Sequence, residues 1–159
     1  MDQQNPRIIV IGCGTTGAGD DAVAIEVIAE LRKIDDAGCE FLAYEGSCPA
    51  GFLSEFPPDA LVVFIDSVHK QKNPGSVHCL KLPSRSSRMR HLQSEGTDRL
   101  QEEIERATQR NGAAPKMFLL GVEVSETIPG TGLSERARKA VLELVSNFPR
   151  YRKLAKDLA

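Results

Sequence analysis

Five short runs dominated by branched apolar residues, "RIIVIG", "CEFLAY", "ALVVFID", "SVHCLKL" and "KMFLLGVEV", punctuate the chain. The segments between them carry apolar residues at a helical period of about 3.6. This alternation predicts an α/β protein: a three-layer sandwich with a central, mostly parallel, twisted sheet of about five strands flanked by helices. The first, third and fifth runs are apolar without alternation, as strands covered on both faces require, whereas "SVHCLKL" alternates and belongs nearer an edge. The chain has 159 residues, 41% of them hydrophobic. That is the size of one ordinary domain, so a single unit spanning 1–159 is expected.

Between the runs, a first helix is expected to start at Asp20 or Asp21, with Ala24, Ile25, Ile28 and Leu31 on its inner face. Pro49 suits the start of a short second turn. A further helix covers "GTDRLQEEIERATQRNG", with Thr97 or Asp98 as cap, Leu100 and Ile104 as apolar contacts and Gly112 as terminator. The last helix starts at the N-cap Ser134 and passes Val141, Leu142 and Val145 to Pro149, after which "RYRKLAKDLA" either extends it or frays. The polar, basic "PSRSSRMRHLQSEG" is longer than a plain connection needs, as functional loops often are.

The most informative stretch is "IIVIGCGTTGAGDDAVAI", where an apolar strand pattern feeds Gly12, Gly14 and Gly17. The spacing is that of a dinucleotide-binding turn, and Glu45 stands where a ribose-binding acid would. A nucleotide- or dinucleotide-binding module is therefore one reading. Asp20 and Asp21 oppose it, because two carboxylates at the helix start occupy the positive end that a pyrophosphate would need. Capping accounts for one of them. The pair gains a second meaning beside "ALVVFID", whose end supplies Asp66: in an open α/β sheet the carboxyl ends of central strands face one crevice, where loop acid and strand acid would converge on a cation. Histidines available nearby are His69, three residues after Asp66, and His91 in the long polar loop; His78 lies on the alternating strand.

Other chemistries find little support. The 20 basic and 22 acidic residues are interspersed for a net charge of −2, so no field gathers nucleic acid or an anionic membrane. No run reaches the roughly 18 apolar residues of a membrane span, and the opening lacks a secretory pattern, so a cytoplasmic protein is expected. The nucleophile-elbow, zincin and P-loop motifs are missing. The cysteines Cys13, Cys39, Cys48 and Cys79 show no C-x-x-C spacing and read chiefly as small hydrophobes. Cys48, in "GSCPAG", would need a histidine and a depressed pKa to act as a nucleophile, and service in a structural or binding loop suits it better.

Taken in order, "IGCGTTGAGDDAVAI", "EGSCPAGFL", "VVFIDSVHKQKNPGSVH" and "LLGVEV" followed by "GTGLSERARKAV" resemble the hydrogenase maturation endopeptidases along almost the whole chain. These enzymes remove a C-terminal extension from the large-subunit precursor of nickel-iron hydrogenases after nickel has been inserted. The resemblance implies an aspartic-type peptidase that activates a hydrogenase, with Asp21 and Asp66 contacting a nickel ion that the substrate supplies, and with no organic cofactor. Gly46, Ser47, Cys48 and Gly51 would form the loop presented to the substrate tail. The family's histidine position falls near "QSEGTDRL", so His91 is the expected third ligand, with Glu95 and His69 as alternatives. A non-catalytic chaperone for the same large subunit is a further reading.

Overall fold

The five apolar runs form one sheet. In chain order its strands are β1 (Ile8–Gly14), β2 (Cys39–Glu45), β3 (Leu61–Val68), β4 (Val77–Leu82) and β5 (Lys116–Glu123), arranged β2-β1-β3-β5-β4. The computed structural model describes residues 6–34, 38–69, 73–82, 95–125 and 128–158, with backbone alone for 95–97 and 158. β1 pairs in parallel with β2 and β3, and β3 in parallel with β5, while β4 runs antiparallel to β5. The three runs without alternation are thus the three interior strands. The alternating run is an edge, as its pattern requires.

The pleat of the interior strands divides their side chains between two cores. Ile8 and Val10 of β1, Leu61, Val63 and Ile65 of β3, and Phe118 and Leu120 of β5 face helices α1 (Val23–Lys33) and α3 (Glu135–Leu158). Ile9, Ile11 and Cys13, Val62 and Phe64, and Met117 and Leu119 face α2 (Glu95–Asn111) and the 3-10 turn Phe52–Glu55. Burying each large aliphatic chain contributes about 1.5–3 kcal/mol, and both layers are continuous, so neither face of the sheet is left to water. By the same pleat, Asp66 follows Val62 and Phe64 on the α2 side.

The helices depart from expectation in register. Asp20 and Asp21 do not start the first helix: Gly19–Ala22 makes a single 3-10 turn and α1 begins at Val23. Its inner stripe is Val23, Ala24, Val27, Ile28 and Leu31, leaving Ile25 only half-buried. α2 begins at Glu95, before either expected cap, and ends against Gly112. α3 passes through Pro149 instead of stopping there. A proline inside a helix removes one backbone hydrogen bond, but Phe148 before it and Ala155 beyond it are buried, and these contacts hold the last turns in place. Leu142 projects into solvent, and Leu144 takes the inner position.

The turn that precedes α1 is held from the far end of the chain. Asp20 is 1% exposed, and its carboxylate accepts the backbone N–H of Ser134 at 2.7 Å and the Ser134 hydroxyl at 2.8 Å. The same hydroxyl oxygen accepts the Ala137 N–H at 3.2 Å, making Ser134 the N-cap of α3 as the sequence predicts. Gly130 N–H reaches the Gly17 carbonyl at 2.6 Å, and Gly19 N–H the Thr131 carbonyl at 3.1 Å. Removing the Asp20 carboxylate would strand two partly buried donors. Asp20→Ala is expected to lose about 2–4 kcal/mol in urea denaturation, and Asp20→Asn, which retains an acceptor, to lose less.

Candidate active site

Strand order reverses at β1: the chain moves from β1 to β2 on one side, then crosses to β3 on the other. Above such a switch point the connections part and leave a crevice at the carboxyl ends of the strands. Asp21 leaves β1 at this place and Asp66 comes from the end of β3. Both line one cleft of about 150 Å3.

Ser67 ties the two acids together. Its backbone N–H donates to Asp66 Oδ1 at 2.8 Å and its hydroxyl to Asp21 Oδ1 at 3.2 Å. Burial pushes the Asp66 carboxyl up from its ordinary 3.8 to about 7, with the Ser67 N–H opposing the rise and the negative charge of Asp21 adding to it. Two carboxylates this close, one of them buried, disfavour each other's ionised form. Among the described residues, no group of three or more His, Cys, Asp or Glu side chains is set to hold a metal.

Close packing fixes Asp21. A Cβ on Gly14 would lie 2.2 Å from the Asp21 carbonyl oxygen, so only glycine lets the end of β1 pass this turn. The turn's own donors are occupied within the protein. The N–H groups of Thr15, Ala18, Gly19 and Asp21 reach backbone carbonyls. Thr16 donates its N–H to Glu45 at 3.1 Å and its hydroxyl to the other oxygen of the same carboxylate. Glu45, the candidate ribose acid, is thus a brace for the glycine turn, which counts against the dinucleotide reading.

The second wall is the loop after β2. Gly46, Ser47 and Cys48 line the cleft; Gly51 does not, but its N–H donates to Glu103 Oε1 at 2.9 Å from a left-handed backbone. Cys13 and Cys48 meet at 2.7 Å between sulfurs. Contact with Cys13 and burial push the Cys48 thiol up, opposite to what a nucleophile needs. The expected histidines do not assemble here. His69 is exposed and outside the cleft lining, and His78 bonds the buried Glu123 at 3.1 Å. His91 lies outside the described residues, and Glu95 opens α2 with its side chain outside them too.

Sequence reading missed the contribution of α2. Arg99 and Glu103 line the cleft, and Glu103 is 7% exposed, with Oε1 accepting from Gly51 and from Arg106 at 2.9 Å. The signal was present: Glu103 sits on the stripe of Leu100, Ile104 and Ala107, where a charged residue has no reason to face the core unless something there requires it.

The sheet order and the helices on both faces make up a fold seen in solved hydrogenase maturation proteases. Among similar solved structures, the hydrogenase maturating endopeptidase HybD from E. coli matches with a TM-score of 0.71 at 20% identity over 89% of each chain. HybD from Thermococcus kodakarensis, a [NiFe] hydrogenase maturation protease, matches at 0.72 and 17% identity over 94% of this chain and 99% of its own. HycI from the same organism matches at 0.67 and 20% identity over 92% of each. No protein-family pattern and no curated protein sequence matches the chain.

The Asp66 shift has a sign that can be checked. Below 3.8 the group is protonated in both folded and unfolded chains; between there and about 7 only the folded chain keeps the proton. Stability should therefore fall as pH rises through that window and level off above it. Asp66→Asn should remove this part of the slope when urea midpoints are compared at about pH 4 and about pH 8.

Proposed function

We propose that this protein is an endopeptidase that removes the C-terminal extension of a nickel-loaded hydrogenase large-subunit precursor. The observation that carries the reading is the meeting of Asp21 and Asp66 across Ser67 in a cleft at the β1/β3 switch point. The fold shared with hydrogenase maturation proteases supports it.

In this reading the carboxylates of Asp21 and Asp66 receive the nickel carried by the precursor, with His91 as the third donor. Oxygen donors and one imidazole suit a borderline divalent ion and leave positions for the precursor's own ligands. Processing then depends on metal loading without a resident metal or an organic cofactor. A carboxylate oxygen not engaged by the ion takes the proton of the attacking water, a role to which an acid titrating near neutrality is matched. Nickel supplies polarisation of the scissile carbonyl or of that water. Gly46, Ser47 and Cys48 form the wall along which the tail lies, and Glu103, bonded to the N–H of Gly51 behind it, holds that wall in position. We place the reaction in the cytoplasm, in keeping with four cysteines that form no disulfide and with no helix of the described residues long and apolar enough to cross a membrane.

The test is incubation of the purified protein with nickel-loaded and nickel-free precursor, read by the mass of the precursor. A peptide should be released from the loaded form only, and Asp21→Asn and Asp66→Asn should each lower the rate by about 100-fold or more while remaining folded by circular dichroism. Equal cleavage of the nickel-free form, or full activity in both variants, would refute the assignment. Tight binding without cleavage by the unmodified protein would assign a chaperone instead.

A further inference from the structure

Two thiols face each other in the wall of the cleft, and the mechanism above gives neither sulfur a chemical step. Cys13 Sγ and Cys48 Sγ lie 2.7 Å apart, although the residues are 35 positions apart in sequence. Cys13 ends the α2-facing row of β1, after Ile9 and Ile11. Cys48 is brought to it by the turn at Gly46, whose φ of 80° is left-handed and whose N–H is anchored to the Gly14 carbonyl at 2.8 Å. The sulfurs need to close by less than an ångström to reach a disulfide bond length of about 2.05 Å.

We propose that Cys13 and Cys48 are a redox modification site, at which a hydroperoxide converts the dithiol into a reversible disulfide. The inference is independent of the reaction assigned to the cleft. In the first step, slowed because burial and Cys13 hold the Cys48 thiol up, the half-buried Cys48 sulfur attacks one peroxide oxygen as its S–H proton leaves; the O–O bond breaks, the departing hydroxide takes up that proton as water, and Cys48 becomes a sulfenic acid. In the second, the Cys13 sulfur attacks the Cys48 sulfur, the S–O bond breaks, and hydroxide departs with the Cys13 proton as a second water. Two electrons pass from the sulfurs to the peroxide, and a dithiol reductant returns them. Because the partner sulfur is already in contact, the second step outruns the first, so sulfenic acid does not accumulate.

The fold allows this bridge and no other within the chain. Cys39 and Cys79 pack on the opposite face of the sheet, on the edge strands β2 and β4 with three strands between them. At about 4.8 Å per strand spacing they are far beyond disulfide reach. The bridge fastens the loop that starts at Gly46 to the end of β1, so it fixes one wall of the cleft.

Treatment of the reduced protein with hydrogen peroxide tests this. Four thiols titratable under denaturing conditions should fall to two, the intact mass should drop by two hydrogens, and peptide mapping should link Cys13 to Cys48. The thermal midpoint should rise by about 5–10 °C from closure of the intervening loop, and dithiothreitol should reverse every change. A Cys39→Ser/Cys79→Ser double variant should form the same bridge, and Cys48→Ser should not. Four thiols remaining after oxidation, links only between chains, or oxygen addition to Cys48 without a Cys13–Cys48 peptide would overturn the proposal.

Discussion

The buried carboxylate of Asp20, bonded twice to Ser134, joins the first turn of the chain to the first turn of the last helix. A charge taken this far from water is tolerable only when its oxygens are satisfied, and Ser134 satisfies both while also capping α3. The consequence reaches the cleft. With Asp20 directed inward, a 3-10 turn replaces the start of a helix, and the next residue, Asp21, is left facing the end of β3. Adjacent, chemically identical residues thereby take different work: one holds the fold, the other opens onto the site.

The cleft depends equally on what the neighbouring strands withhold. Gly14 has no side chain to obstruct the Asp21 carbonyl, and the glycine turn spends its polar groups on Glu45, on its own backbone and on the segment 130–131. A pattern that in another context holds pyrophosphate here serves to place an acid. Burying the Asp66 carboxyl carries a cost, visible in its rise to about 7, to which the charge of Asp21 adds, and the surrounding packing sustains it.

α2 supplies what the strands do not. Leu100, Ile104 and Ala107 seal the layer over β1 and β3, while Glu103 reaches from the same stripe to the backbone of Gly51. The loop after β2 is therefore held from two directions, by Glu103 at one end and by the Gly46–Gly14 bond at the other, with the two contacting thiols between.

The sequence by itself determined the layer architecture, the parallel core of the sheet, the alternating edge strand and the Ser134 cap, because hydrophobic period and capping chemistry are local properties. It also pointed to Asp21 and Asp66, since acids at the ends of apolar strands converge in any open parallel sheet. Only the tertiary structure decided that Asp20 is bound to Ser134, that Glu45 braces a turn, that α3 continues past Pro149, and that Cys13 meets Cys48. Each of these depends on a partner distant in sequence, where no periodicity records the contact: Ser134 for Asp20, Thr16 for Glu45, the core around Ala155 for α3, and the β2 loop for the thiols.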